Sequence, residues 1–289
     1  MTQPAVSLQI KALEEQLGVK LFERVNNKLT LTSIGQALSP CATEILHAEA
    51  DALQLLEELK GISKGKLVVG TNTTGGMYVL PPILRAFKEE HPGFDITLQI
   101  DATDRITERV AQNVIDVGFV GGPIRDSRFT VESIFQDELV IIASPSHPAA
   151  LMSNIGLEDL AEYPFILPEV GSRTRMLVER AFRDANVIMQ PKMQLIGTEA
   201  VKKAVEANLG VAAVSRYSVL REVHLGILKI LELSDRRLLR PLDMLYRKGK
   251  YFSPAADEFM KFVRDYTRTR LPAALNQIQS LAAGGTDPN

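Results

Sequence analysis

Strand-like and helix-like segments alternate along most of the chain, and this alternation constrains the fold more than any other feature. Short apolar runs that favour strands occupy residues 66–70, 94–101, 115–120 and 138–143. Amphipathic stretches that favour helices occupy residues 76–90 and 103–113. This order is typical of a parallel sheet covered by helices, so we expect an α/β fold here.

A second set of strands and helices follows the first, which predicts two Rossmann-like lobes. Its strand-like runs are 165–167, 192–196 and 211–214, and its helix-like stretches are 174–185 and 198–208. A strand at 241–246 then returns to the first lobe, and a helix at 255–266 closes it. With crossings near Ala143 and Leu242, lobe I comprises about residues 63–140 and 243–270, and lobe II about residues 144–240. Residues 271–289 are expected to form a C-terminal tail that ends in disorder.

Four strand-to-helix turns carry glycine or small hydroxyl residues. They are Thr73-Thr74-Gly75-Gly76, Thr103-Asp104, Gly171-Ser172-Arg173-Thr174 and Thr198-Glu199. In open α/β sheets, ligands bind beyond the carboxyl ends of strands, where helix N-termini offer unpaired N–H groups. The turns therefore predict a cleft for a small anionic metabolite, and the alternative is that each hydroxyl only caps its helix. Asp104 and Glu199 oppose a purely anionic ligand and favour additional hydroxyl or amine groups on it.

Residues 33–62 carry a heptad pattern that predicts a long helix. Apolar residues recur at spacings of four and three for nearly four repeats: Ile34, Leu38, Cys41, Ile45, Ala48, Ala52, Leu55 and Leu59. Such a seam favours a helix pair between two copies of the chain, and the alternative is an amphipathic helix lying on its own domain. Pro40 is expected to kink this helix or to split off its first turns.

The first 32 residues predict a helix followed by a small hairpin. Thr2 can cap the helix, Pro4 is tolerated in its first turn, and Gly18 can end it. The helix has one apolar face, formed by Val6, Ile10, Leu13 and Leu17. Asn26 and Asn27 separate two short β-capable runs, as in a hairpin.

These residues carry a family resemblance. The run TQPAVSLQIKALEEQLGVKLFER, followed by LTSIGQAL, is similar to the recognition helix, wing and linker start of LysR-type transcriptional regulators. The resemblance implies a winged helix-turn-helix at residues 1–32, a linker and dimerisation helix at 33–62, and an effector-binding domain of the type 2 periplasmic-binding-protein fold at 63–270. It also implies that operator DNA is contacted in the major groove by Thr2, Gln3, Pro4, Ser7 and Lys11, and at phosphates by Arg24 and Lys28. Glutamine can pair with adenine edges, and arginine and lysine bind phosphates.

The same resemblance assigns candidate effector-binding residues. Thr74, Thr103 and Thr198 fall where effector-contacting residues sit in the family, as does the stretch around Gly121 and Gly122. We add the neighbouring turn residues Thr73, Ser172 and Arg173.

The N-terminal domain departs from the family in one respect. Family members normally begin with two further helices, without which the face formed by Val6, Ile10 and Leu13 has no packing partner. We expect that the start codon has been placed too late, the alternatives being a truncated chain or a degenerate domain. In each of these three cases we expect this chain to bind operator DNA weakly.

Bulk properties exclude several other classes. The formal net charge is −2, Cys41 is the single cysteine, and no apolar run approaches the roughly 20 residues that a membrane span needs. We therefore expect a cytoplasmic protein. The four histidines have no metal-ligand spacing, and nucleophile-elbow, phosphate-loop and dinucleotide motifs are absent from the sequence. We expect neither an enzyme nor a bound metal or cofactor.

The resulting prediction is a transcription regulator that binds operator DNA and a small effector as a homodimer or homotetramer. The first alternative is a free-standing solute-binding protein with the same two lobes, which the heptad helix and the absence of a signal peptide disfavour. The second is an α/β enzyme, for which the sequence offers no nucleophile or metal cluster.

Overall fold

The computed structural model describes residues 2–26, 28–59, 65–152 and 154–271. The chain divides into two compact units, residues 1–62 and residues 63–289. None of the helices in the described ranges is long and apolar enough to cross a membrane.

The first unit contains a helix, a hairpin and a long helix. Its elements are α1 (Gln3–Leu17), β1 (Phe22–Val25), β2 (Lys28–Leu31) and α2 (Ser33–Leu59). Thr2 is the N-cap residue of α1, although its side chain makes no capping hydrogen bond. Gly18 ends α1 with a φ of 71°, in the left-handed region that favours glycine. Val25 pairs with Lys28, as the predicted hairpin requires, and Asn27 lies outside the described residues.

Glu14 is a buried carboxylate that joins α1 to the hairpin. Its Oε1 accepts the backbone N–H groups of Leu21 and Phe22 at 2.8 and 3.1 Å, and its Oε2 lies 2.7 Å from Lys20 Nζ. The hydrogen bond from Lys20, followed by those from the two N–H groups, lowers the pKa of Glu14 to about 2. The carboxylate is therefore charged at neutral pH and fixes where the hairpin starts.

Helix α2 runs without interruption through Pro40 for 27 residues. Of the two expectations for Pro40, the splitting off of the first turns is therefore wrong, and the kink stays a prediction. Thr32 supports the start of the helix, because its Oγ1 accepts the N–H of Gly35 at 3.0 Å and donates to the Lys20 carbonyl at 2.7 Å. The predicted helix residues 60–62 lie outside the described residues.

The second unit alternates strands and helices as the sequence predicts. Its strands are β3 (Lys66–Thr71), β4 (Asp95–Ile100), β5 (Val117–Gly121), β6 (Phe129–Ala143), β7 (Phe165–Pro168), β8 (Pro191–Leu195), β9 (Val211–Ser215), β10 (Lys229–Leu231) and β11 (Leu238–Arg247). Its helices are α3 (Leu80–Glu90), α4 (Thr103–Ala111), α5 (Leu157–Leu160), α6 (Arg173–Asp184), α7 (Thr198–Glu206), α8 (Leu220–His224) and α9 (Pro254–Thr269). A turn of π-helix, Gly75–Val79, precedes α3.

The strands form one sheet in the order β4-β3-β5-β11-β6-β9-β7-β8, and β10 also pairs with β6. Lobe I is built on the parallel trio β4-β3-β5, and lobe II on the parallel trio β9-β7-β8. The long antiparallel strands β6 and β11 pass through both lobes and pair with each other from Phe129 to Leu139.

The crossing on β6 comes earlier than the sequence analysis placed it. Leu139 already pairs with β9 of lobe II, so Ala143 lies well inside that lobe and not at the crossing. The predicted strand at 138–143 is the second half of β6, which begins at Phe129. Its first half was missed because polar residues such as Glu132, Ser133 and Gln136 interrupt its apolar residues, so it has neither a continuous apolar run nor a regular alternation.

Each lobe has its own apolar core. In lobe I, α3 and α9 pack on the sheet through Phe87 and Phe259, whose ring centroids lie 5.1 Å apart in an edge-to-face arrangement. In lobe II, Phe165 and Phe182 form a similar pair at 5.7 Å. Because α9 is part of the core of lobe I, the return of the chain to that lobe is a stabilising feature of the fold. The predicted tail lies outside the described residues from residue 272 onwards.

Candidate functional site

A cavity of about 180 Å³ lies between the two lobes. Lobe I contributes the turns after β3 and β4, and lobe II contributes the turns before α6 and α7. Six of the eight residues predicted from sequence line this cavity: Thr73, Thr74, Thr103, Ser172, Arg173 and Thr198. The structure thus brings together four turns that are far apart in the sequence.

Three helices start at this cavity, namely α4, α6 and α7. Their first intrahelical hydrogen bonds are donated by Ile106, Met176 and Val201, so the N–H groups of the three residues before each donor have no helical partner. Each such helix start carries about half a positive charge. The arrangement is suited to binding anionic or hydrogen-bond-accepting groups.

The hydroxyl groups at these turns are not helix caps. Thr103 and Thr198 are the first residues of their helices, and the preceding cap positions are Ala102 and Gly197. Ser172 does occupy a cap position, but its side chain makes no capping hydrogen bond. Within the described part of the chain, the hydroxyls of Thr103, Ser172, Thr198 and Thr74 form no hydrogen bond. They are therefore free to bind a ligand.

The two predicted glycines lie apart from the main cavity. Gly121 lines a small adjoining space of about 10 Å³, together with Asn72 and Arg240. Gly122 lines neither the main cavity nor the small adjoining space, so the expectation that it lies in the cleft is wrong. A methyl group on its Cα would collide with the carboxylate of Asp243, so glycine is needed here for close packing.

Asp243 is a buried carboxyl group behind Gly122. Its hydrogen bond from the Ile124 N–H is long, at 3.4 Å, and burial raises the pKa of its side chain. Because this pKa lies above its unfolded value, the contribution of Asp243 to stability is full below the unfolded pKa and is lost as pH rises through the folded pKa.

We expect Asp243→Asn to raise the thermal unfolding midpoint at pH 7, because the amide keeps the acceptor and removes the buried charge. The difference from the wild type should disappear below pH of about 4, where an ordinary aspartate protonates. Differential scanning calorimetry across pH checks this, with the exposed Asp235→Asn as the control. A lower midpoint for Asp243→Asn at pH 7 would contradict the expectation.

A buried ion pair that the sequence analysis missed forms one wall of the cleft. Arg240 on β11 contacts Asp137 on β6, with Nε and Nη2 at 2.8 and 2.7 Å from Oδ2. Arg240 Nη1 donates to Thr174 Oγ1 at 2.8 Å, and Ser215 Oγ donates to Asp137 Oδ1 at 2.8 Å. Both charged residues lie where the chain crosses between the lobes. Their separation of 103 residues explains why local patterns gave no signal of the pair.

A second group of contacts joins the lobes beside the cavity. Tyr78 of lobe I donates its hydroxyl to Glu199 of lobe II, and Lys202 Nζ lies 3.2 Å from the same hydroxyl. Lys202 also contacts Glu199 and Glu222, each at 2.8 Å. Glu199 is therefore engaged in this network, and it does not line the cavity. The negative charge of Glu199 is therefore no argument against an anionic ligand in the cavity.

The other charged residues of the lining have partners. Asp101 Oδ1 accepts the Ala102 N–H at 2.8 Å, and Glu169 accepts the Gly197 N–H at 3.2 Å. Asp104 is almost fully exposed and lies 3.7 Å from Arg173 across the mouth of the cleft. The lining therefore holds three carboxylates and two guanidinium groups, and each carboxylate already has a donor or cation beside it.

The part of the chain that the structure describes contains no cluster of histidine, cysteine, aspartate and glutamate that could hold a metal ion. His91 stacks on Phe87 with ring centroids 4.5 Å apart, and His147 Nδ1 accepts the Ala149 N–H at 3.2 Å. These two histidines have structural roles.

The residues predicted to contact DNA are all exposed in the first unit. Gln3, Ser7 and Lys11 are spaced four apart and form one stripe along α1, beside Thr2 and Pro4 at its start. Arg24 and Lys28 lie on the two strands of the hairpin. The apolar side of α1 is also exposed, since 41% of Val6 and 44% of Leu13 are accessible.

The architecture defines a class of protein. An exposed helix with a hairpin wing is joined in one chain to a two-lobed domain with a cleft, as in regulators that respond to a small molecule.

Comparisons with known proteins identify the family. The family model described as the LysR substrate binding domain matches residues 60–268, and the lysR-family model of the bacterial regulatory helix-turn-helix protein matches residues 1–36. The chain is 35% identical over 263 residues to the HTH-type transcriptional activator CmpR of Synechocystis sp., covering 91% of this chain and 86% of that protein. It is 33% identical to the RuBisCO operon transcriptional regulator of Allochromatium vinosum, covering 91% of this chain and 87% of that protein.

Solved structures agree with this assignment. The regulatory domain of CcmR from Synechocystis PCC6803, in complex with 2-PG, superposes with a TM-score of 0.67 at 26% identity, covering 72% of this chain and 99% of that chain. CbnR, a LysR family transcriptional regulator, superposes with a TM-score of 0.61 at 23% identity, covering 91% of each chain. The chain belongs to the LysR family of transcriptional regulators. The predicted family, fold class and regulatory function are confirmed, and the solute-binding alternative is set aside.

Proposed function

We propose that this regulator senses a small acid with phosphate and carboxylate groups, of the type of 2-PG, in the cleft between its lobes. The observation that carries the proposal is the convergence of three helix starts and four unused hydroxyls on one small cavity. Drug-sized ligands occupy roughly 300–1,000 Å³, so a cavity of about 180 Å³ suits a smaller metabolite. The complex of the related CcmR domain with 2-PG supports the same ligand class.

In this proposal, Thr74, Thr103, Ser172 and Thr198 donate hydrogen bonds to the ligand, and Thr73 and Gly121 shape the lobe I side. Arg173 adds positive charge at the mouth of the cleft. Hydroxyls and backbone N–H groups can bind an anion without the desolvation cost of another buried cation.

The DNA-binding role rests on the first unit. We infer that Gln3, Ser7 and Lys11 face the bases, and that Arg24 and Lys28 contact phosphates, as operator binding by the family suggests. The exposed seam of α2 would pair two copies into a dimer, or a dimer of dimers. The protein would act where its DNA is, in the cytoplasm.

Removing a cleft hydroxyl is expected to weaken 2-PG binding. A hydrogen bond to a charged group contributes about 1.5–3 kcal/mol, so Thr198→Val and Thr103→Val should each lower affinity about 10- to 100-fold. Isothermal titration calorimetry of the full chain measures this, with the exposed Thr269→Val as a matched control. If Thr74→Val, Thr103→Val and Thr198→Val all bind 2-PG as tightly as the wild type, the ligand site lies elsewhere.

A further inference from the structure

The cleft contains one buried cation, Arg240, with unused hydrogen-bonding capacity. Only 7% of its side chain is exposed, and it lines both the main cavity and the small adjoining space. A guanidinium group has five N–H donors. Nε donates one N–H to Asp137 and Nη1 donates one to Thr174, while Nη2 lies 2.7 Å from the same Asp137 oxygen as an ion-pair contact. Within the described residues, two of the five donors therefore have no partner.

We infer that these two N–H groups of Arg240 bind the anionic group of the effector and make the cleft selective for charged ligands. This inference rests on the proposed function and assigns a specific residue to it. Arginine suits the role because its guanidinium stays charged and forms strong hydrogen bonds to carboxylate and phosphate oxygens.

Asp137 holds Arg240 in the orientation that this role needs. The carboxylate occupies the Nε side of the guanidinium and is itself fixed by Ser215, so the remaining edge of Arg240 is left for the cavity. Asp137 also repels an incoming anion, because it carries the same charge. Asp137 therefore positions Arg240 but weakens the binding of an anion. Removing the charge of Asp137 should strengthen anion binding, which can be measured.

Arg173 offers a natural comparison. Its side chain is 25% exposed, it lies 3.7 Å from Asp104 at the mouth, and it also borders a more open cavity beside Arg125 and Arg128. Salt screens the attraction of the partly exposed Arg173 for an anion more than that of the buried Arg240, although the Nε of Arg173 is itself buried and has no hydrogen-bond partner among the described residues. The two arginines should therefore differ in both the size and the salt dependence of their effects.

The test is titration of the full chain with 2-PG at low and high salt. Arg240→Gln should lower affinity at least about tenfold at both salt concentrations, because it removes a charged hydrogen bond. Arg173→Gln should lower affinity less than Arg240→Gln, about threefold at low salt, and the loss should shrink at high salt. Asp137→Asn should bind 2-PG more tightly than the wild type, because the competing charge is gone. The double variant Arg240→Gln/Asp137→Asn avoids an unpaired buried charge, and its thermal unfolding shows whether the fold is retained.

Several results would overturn the inference. The inference is wrong if Arg240→Gln, or the folded double variant, binds 2-PG as tightly as the wild type. It is also wrong if a folded Asp137→Asn variant binds 2-PG more weakly than the wild type. Inorganic phosphate serves as a second probe, and the same order of variants is expected with it. Binding of phosphate but not 2-PG to the wild type would contradict the proposed effector class, while the Arg240→Gln ratio measured with phosphate still decides the inference. Binding of neither probe would contradict both.

Discussion

The variant Lys202→Met is expected to lose about 2 kcal/mol of unfolding free energy, because it leaves the partly buried Glu222 and the Ser218 carbonyl without their donor. Only 4% of the Lys202 side chain is exposed. Its ammonium contacts Glu199 and Glu222 at 2.8 Å each and the Ser218 carbonyl at 2.6 Å. Methionine fills a similar volume but satisfies none of these acceptors.

The neighbouring residue provides the control. Lys203 is paired with Glu206 at 2.6 Å, but 69% of its side chain is exposed. An exposed pair contributes about 0–1 kcal/mol, so Lys203→Met should have little effect on unfolding in urea. Equal losses for the two variants would show that Lys202 does not act as a buried cation. Because Lys202 also contacts Tyr78 across the cleft, its loss should loosen the two lobes relative to each other.

The double variant Ile45→Glu/Leu55→Glu is expected to convert the assembly to monomers. Both residues lie on the predicted seam of α2, where 69% of Ile45 is exposed in the single chain and Leu55 is partly buried. Pairing two copies of the helix would bury four glutamates without partners, at a cost that outweighs the apolar contacts. Sedimentation equilibrium of the full chain measures the mass.

Leu46→Glu/Leu53→Glu is the matched control for the seam. It places the same two charges on the same helix, at positions outside the four-three pattern, where 63% of Leu46 and 57% of Leu53 are exposed. It should leave the mass unchanged. If Leu46→Glu/Leu53→Glu dissociates the assembly and Ile45→Glu/Leu55→Glu does not, the helix pairs through a different face.

Local patterns in the sequence predicted the regular part of the fold. The turns at Thr103 and Thr198 were found because they join amphipathic helices to apolar strands, and both signals depend only on neighbouring residues. The sequence did not show whether these hydroxyls cap their helices, because a cap residue and the first residue of a helix differ by only one position. The structure places them one residue past the cap, where their hydroxyls are free.

Features that depend on distant residues could not be predicted in this way. Asp137 and Arg240 are each unremarkable in their local context, and they become a site only because β6 and β11 pair across the lobe crossing. The same is true of Tyr78 and Lys202, which are separated by 124 residues. Gly122 was assigned to the cleft from its family position, whereas the register of β5 and β11 packs it against Asp243.

A small anion bound among these helix starts is expected to control how the protein acts on DNA. The fluorescence anisotropy of a DNA site, selected by the protein from a random library, is followed during titration with 2-PG. We predict that Thr198→Val raises the 2-PG concentration for half-maximal change at least about tenfold, while DNA affinity without ligand stays within about twofold of the wild type. A response of the DNA complex at the same 2-PG concentration in wild type and variant would show that the cleft does not control DNA binding.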